Sequence, residues 1–166
     1  MFILIRAMTY ATLFVALVLV FLPAQVLSWS GMTRPVGIGV PQVVGALVVV
    51  AGAALALWCV VAFALVGRGT PAPFDPPRRL VVQGPYRFVR NPMYLGAGTA
   101  LAGAALFFQS LPLVGFTALF LLSTHLFVRW YEEPTLRRTF GEVYQAYCRK
   151  VARWRPRLSP YHEERP

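Results

Sequence analysis

The stretch VGIGVPQVVGALVVVAGAALALWCVVAFALVG, Val36 to Gly67, contains no charged residue. A helix of about 20 residues crosses a hydrocarbon core of about 30 Å, so this run is long enough to do so. Ala7–Leu27 is a second charge-free run of spanning length. Soluble domains carry about 25% charged residues and rarely gather apolar residues into such runs. Here 57% of the 166 residues are hydrophobic and 13% are charged. These features define an integral membrane protein.

Working outward, the chain reads as an all-α membrane bundle of about four transmembrane helices. The expected spans are about Ala7–Leu27, Val43–Val66, Pro92–Phe108 and Pro112–Trp130. Gln109-Ser110-Leu111-Pro112 reads as a tight turn, which makes the last two segments a hairpin. The third segment measures only about 25 Å at 1.5 Å per residue, so it barely spans. The length suits a single domain over 1–166: two N-terminal spans in 1–66, then a loop, the hairpin and a basic tail in 67–166. The N-terminus has a signal-peptide look, with Arg6 before an apolar run. That run is long for such a region and no clean small-x-small cleavage site follows, so it reads as a retained span.

The net charge is +10, and Lys150 is the only lysine. Positive charge marks the cytoplasmic side. Arg68, Arg78, Arg79, Arg87 and Arg90 place the second loop inside, together with the tail and both termini. The charges adjoin apolar spans, so they fit topology and anionic head groups rather than nucleic acid. Cys59 lies mid-span and Cys148 in the tail, which argues against a disulfide framework. No metal-ligand cluster, Walker-type loop or Ser-His-Asp set is present in the sequence.

Two polar clusters carry candidate chemistry. The first is GPYRFVRNPMYLG, Gly84 to Gly96, at the lip of the third segment. The second begins with Arg129, Glu132, Glu133 and Pro134 at the end of the fourth. Carboxylates at a membrane boundary are costly unless paired or solvated. Arg129 stands three and four residues before them, the spacing of a helical ion pair. One arginine cannot occupy two acids fully, so a spare acid is available for a ligand's ammonium or hydroxyls. Beyond Pro134, Leu136, Phe140, Val143, Tyr144, Tyr147 and Val151 recur at three and four, marking a basic amphipathic helix. Such a helix either lies in the interface or folds over the first cluster as a lid. Gly96, Ala100 and Ala104 repeat every four residues. Two readings are open: close helix packing, or bare backbone at Gly96 and Gly98 for a ligand. His125, deep in the fourth span, reads as hydrogen-bonded to a neighbouring helix or as a site candidate.

Together the clusters resemble the membrane-embedded methyltransferases that use S-adenosylmethionine: the isoprenylcysteine carboxyl methyltransferases and the phospholipid N-methyltransferases. The resemblance covers Arg78–Leu158. Its motifs are Gly84-Pro85-Tyr86, Arg90-Asn91-Pro92-Met93-Tyr94-Leu95-Gly96, Glu132-Glu133-Pro134, and Phe140-Gly141-Glu142 with Tyr144 and Tyr147. It implies that Leu80, Val81, Tyr86, Asn91, Pro92, Met93, Tyr94, Leu95 and Gly96 cradle the cofactor. Glu132 would hold its polar end with Glu133 alongside, and Arg129 would face the substrate's head group. Tyr86, Tyr94 and Tyr144 are the rings available to the sulfonium. Glu133 and Arg129 are the catalytic candidates.

The carboxyl methyltransferases usually carry histidine where this chain has Asn91, and the phospholipid enzymes look closer there. The tail is more like that of the carboxyl enzymes. An isoprenylcysteine-type carboxylate is the leading acceptor, because it attacks without first losing a proton. A phospholipid amine is the alternative. A non-enzymatic four-helix protein is the rival from another class. The tail also looks like that of NADPH-dependent sterol reductases, which have many more spans. The expected partners are membrane lipids and a lipophilic or prenylated substrate.

Overall fold

A computed structural model describes Thr9, Leu13, Pro35 and residues 16–31, 37–67 and 80–161. Arg6, Arg34, Arg68, Arg78 and Arg79 lie outside the described residues, and with them part of the charge behind the expected topology. All regular structure among the described residues is helical. Helix α1 is Leu22–Trp29, entered through a π-helical turn, Ala16–Phe21. Helix α2 is Val40–Ala62, continued by a π turn, Phe63–Gly67. A short 3-10 turn, Gly84–Arg87, precedes α3, Pro92–Phe108. Helix α4 is Leu111–Phe127, then a π turn, Val128–Glu132, leads into α5, Glu133–Lys150.

Two helical runs are long and apolar enough to cross a membrane: Val40–Ala62 and the continuous Leu111–Lys150. The other two apolar helices, Ala16–Trp29 and Pro92–Phe108, are shorter. Val43, Val44, Leu47, Val50 and Leu57 stand exposed on α2, as do Leu119 and Leu122 on α4. An apolar exterior of this kind is what lipid tails solvate.

The hairpin forms because its turn residues satisfy the backbone. Gln109 closes α3 in the left-handed region at φ 49°. Ser110, almost fully buried, caps α4 by accepting from the Leu113 N–H at 3.4 Å. Pro112 sits in the first turn of α4, where its missing N–H costs nothing.

Helices α2 and α3 pack backbone against backbone. A Cβ at Gly52 would come within 2.5 Å of Ala100 N and 2.6 Å of Gly96 O. One at Gly96 would meet Ala56 N and Gly52 O at 2.8 Å. Gly45 and Gly103 repeat the arrangement one end further on, against Phe107 and Val49. Gln42 adds a polar tie, its amide donating to Phe107 O at 3.1 Å. The contact therefore runs Gly96, Ala100, Gly103, Phe107. Ala104 belongs elsewhere, against Leu27, Ala105 and Leu113. Gly96 serves helix packing, and the space a Cβ would take there is filled by α2.

The helix runs on through Pro134 into the amphipathic segment. Pro134 lies in the first turn of α5, and the preceding π turn already shifts the hydrogen-bond register there. The real bend is at Gly141, with φ 52° and ψ −127°, a conformation that only glycine adopts at little cost.

Substitution at the α2–α3 contact tests this packing. Gly52→Val is expected to cost at least about 1–3 kcal/mol, since the added atoms meet unyielding backbone. Gly115→Ala, where nothing lies within 4 Å of a Cβ, should be neutral or stabilising by up to about 1 kcal/mol. Thermal unfolding in detergent reads both.

Candidate active site

The loop before α3 is seated on the end of α2. Gly84, at φ 56°, lies against the Trp58 indole, 3.2 Å from Nε1 to the position a Cβ would take. Val81, Tyr86 and Cys59 form a buried cluster, with Met93 packed against it. The Cys59 thiol and the Tyr86 side chain are hydrogen-bonded. Burial pushes the Tyr86 phenol well up, and the neighbouring Cys59, Glu132, Tyr94 and Tyr147 push it further. Tyr86, Tyr94, Cys59 and Glu132 thus share one electrostatic neighbourhood.

Tyr94, one turn into α3, donates to Glu132 Oε2 at 3.1 Å. This bond joins the two polar clusters of the sequence. Burial raises the Glu132 carboxyl to about 7; the Tyr94 bond pulls it partway back, and the Glu133 charge adds to the rise. A carboxylate has about four acceptor positions, and a phenol supplies no positive charge. Glu132 is therefore an acid short of a cation.

Glu133 has the opposite surroundings. Arg153 grips it bidentately, Nε to Oε1 at 2.6 Å and Nη2 to Oε2 at 2.9 Å. Arg90 Nη1 approaches Oε1 at 3.2 Å, and the exposed Arg137 stands 4.0 Å from Oε2. Burial alone would raise its carboxyl; the Arg153 bonds and the charges of Arg90, Arg153 and Arg137 outweigh that and hold it below the ordinary range. Arg129 is exposed and pairs with neither acid among the described residues. The local pairing expected from spacing gives way to a long-range one. Glu133, a candidate base on sequence grounds, is a structural ion-pair hub.

The tail folds over the loop. Arg90 N donates to Ala152 O at 3.0 Å, Arg157 N to Phe88 O at 3.0 Å, and Tyr161 N to Arg87 O at 2.9 Å. Tyr147 Oη donates to Tyr86 O at 2.6 Å, and Asn91 Nδ2 to Arg153 O at 3.2 Å. Trp154 Nε1 donates to His125 Nδ1 at 3.0 Å, so the partner of His125 is the tail rather than a neighbouring span.

Of the residues singled out in sequence, Tyr86, Met93, Tyr94 and Glu132 converge, with Val81 behind them. Pro92 is fully buried at the start of α3, and Leu95 is half-buried on the next turn. Asn91 turns its amide to the tail. Leu80 packs against Tyr144, Tyr147, Val151 and Tyr161. Tyr144 is 3% exposed within that same core, so its ring serves packing. The sequence did not single out Cys59, Trp58 or Arg153 for the site. Arg153 is one of 16 basic residues, and nothing local distinguishes it. No group of three or more metal-binding side chains occurs among the described residues.

The family model for phospholipid methyltransferase matches residues 40–143. The chain belongs to that family of membrane methyltransferases. The match spans α2, the loop, the hairpin and Glu132–Glu133, the elements that build the site. No match was found among curated proteins or among solved structures.

The two adjacent acids should respond oppositely to neutralisation. A carboxyl raised in the fold stabilises below its ordinary value, near 4.5, and that contribution is lost as pH rises to about 7. Glu132→Gln should therefore raise the melting temperature of the ligand-free protein at pH 8 and leave it nearly unchanged at pH 5. Glu133 contributes stability above the ordinary carboxylate range, lost as pH falls through its lowered value. Glu133→Gln should cost about 3–5 kcal/mol at pH 8, because three arginines lose their anion. Melts of both variants across pH check the signs.

Proposed function

We propose that the protein transfers a methyl group from S-adenosylmethionine to a lipophilic substrate. The observation that carries this reading is Glu132: a half-buried acid whose hydrogen-bond partner is a neutral tyrosine, beside an acid already neutralised. The residues fit the cofactor. Glu132 lacks a cation and the cofactor has an ammonium. Tyr86 and Tyr94 offer ring faces for a sulfonium, worth about 0.5–2 kcal/mol each. When bound, S-adenosylmethionine supplies an electrophilic methyl on a positively charged sulfur.

The chain's own part is binding and alignment. Glu132 anchors the polar end through its free acceptor positions. Tyr94 fixes the Glu132 carboxylate by its hydrogen bond. The tail, laid across the loop, keeps water from that side. Alignment of this kind supplies about 7–11 kcal/mol of a barrier.

The favoured acceptor is a carboxylate of the isoprenylcysteine type. Glu133 is locked under arginines, which supports an acceptor that needs no general base. Exposed Arg129 at the end of α4 suits an anionic head group. The second reading, a phospholipid amine, draws on the family match; its proton would pass to Glu132 or to water. In both readings four apolar helices cross the bilayer, the site faces the cytoplasm and the lipid arrives laterally.

S-Adenosylhomocysteine at 100 times its dissociation constant should stabilise the detergent-solubilised protein by about 2.7 kcal/mol. Glu132→Gln and Tyr94→Ala should each weaken that effect. Labelled methyl should pass from S-adenosylmethionine into a prenylcysteine thioether carboxylate rather than into phosphatidylethanolamine. Transfer to the amine alone selects the second reading. No stabilisation and no transfer to either acceptor leaves a non-enzymatic membrane protein.

A further inference from the structure

Arg90 has two hydrogen-bonding edges, and its known partners use one nitrogen. Nη1 donates to Cys148 Sγ at 2.7 Å and pairs with Glu133 Oε1 at 3.2 Å. Nε is buried and has no hydrogen-bond partner; no other buried side-chain nitrogen or oxygen is unsatisfied among the described residues. A buried donor left unmade costs about 1–3 kcal/mol. The arginine side chain is 11% exposed, and its own backbone N–H donates to Ala152 O in the tail.

Its position relates it to Glu132. Arg90 precedes Asn91-Pro92 and lies one turn before Tyr94, which holds Glu132. It also touches Glu133, the next residue along the helix. A cation with a buried, partnerless donor and an acid with open acceptor positions are thus linked through Tyr94 on one side and Glu133 on the other. That is the charge pattern an α-amino acid zwitterion requires.

We propose that the free Nε edge of Arg90 binds the carboxylate of the cofactor's amino-acid end, while Glu132 takes its ammonium. This inference rests on the cofactor reading above and assigns one further residue within it. A guanidinium matches a carboxylate with two parallel N–H donors, which lysine cannot reproduce. The Glu133 pair holds the far side of the guanidinium and so fixes the direction of the free edge.

The test compares two ligands on the full-length protein in detergent. S-Adenosylhomocysteine carries the amino-acid end; 5′-methylthioadenosine keeps the adenosyl thioether and lacks it. Calorimetric affinities are measured for wild type, Arg90→Gln and Arg90→Lys. The expected result is a loss of about 10–100-fold for S-adenosylhomocysteine in Arg90→Gln, with 5′-methylthioadenosine changed less than about twofold. Arg90→Lys keeps a charge for Glu133 and lacks the fork, so it should show the same selective loss if Arg90→Gln does not fold. Parallel loss of both ligands in the folded variants overturns the proposal and assigns Arg90 to packing. Unchanged affinity for S-adenosylhomocysteine overturns it as well. Failure of wild type to bind either ligand overturns the cofactor reading itself, before any substitution is made.

Discussion

The buried carboxylate of Glu133 holds the site together. It is 5% exposed, so an unpaired charge there would be costly. Three guanidiniums meet it from different parts of the chain: Arg90 from the loop, Arg137 from α5 and Arg153 from the tail. Arg90 and Arg153 make the close contacts, and the exposed Arg137 adds its charge from 4.0 Å. The consequence for chemistry lies one residue away. Successive residues on a helix point about 100° apart, so fixing Glu133 against the arginines turns Glu132 toward α3. Two acids of identical type end in opposite electrostatic environments, one saturated with positive charge and one facing a phenol.

The second constraint is the α2–α3 contact. Lipid tails are as apolar as leucine, so helices in a bilayer associate through close packing rather than hydrophobic exclusion. Glycines at positions 45, 52, 96 and 103 let the two backbones touch. That contact fixes the start of α3 against the end of α2. The loop between 80 and 91 then rests on Trp58 and Cys59, which carry Tyr86 toward Tyr94. Removal of close packing at Gly96 would move Tyr94, two residues before it on α3, and with it the bond that orients Glu132.

Much of this was legible in the sequence. The charge-free run 36–67 announced the long apolar helix Val40–Ala62, and Gln109-Ser110-Leu111-Pro112 announced the hairpin turn. The two polar clusters were visible as clusters, and Tyr94–Glu132 does join them. Local spacing misled where distant partners were stronger. Arg129 sits at helical pairing distance from both acids, yet Glu133 is taken by residues from the loop, α5 and the tail. Gly96, Ala100 and Ala104 suggested a strict four-residue stripe, but a helix with 3.6 residues per turn drifts, and the real contact moves to Gly103. The π turn that precedes Pro134 leaves no mark in composition. Tyr144 had the right residue type for a sulfonium and is spent on the aromatic core beneath the tail.

The tail and the end of α4 together bear on how a charged cofactor and a lipid reach one place. On one side Arg157 and Tyr161 bond to the loop backbone, and Trp154 reaches back to His125. On the other side Phe127 stacks on Tyr131 with centroids 5.3 Å apart, and Arg129 and Trp130 are exposed beside them. Aromatic rings and a cation at a span's end are suited to the head-group layer. Glu132 lies on the same π turn as these residues. A π turn carries one extra residue per turn, so side chains that a regular α-helix would spread round its surface are re-aimed at one level. On the proposed reading, that extra residue lets one turn of helix serve two surroundings: Arg129 and Trp130 exposed at the lipid boundary, Glu132 turned to Tyr94. An α-helical path through 128–132 would rotate one set away from its medium, which gives a physical reason for the π turn at this point in the chain.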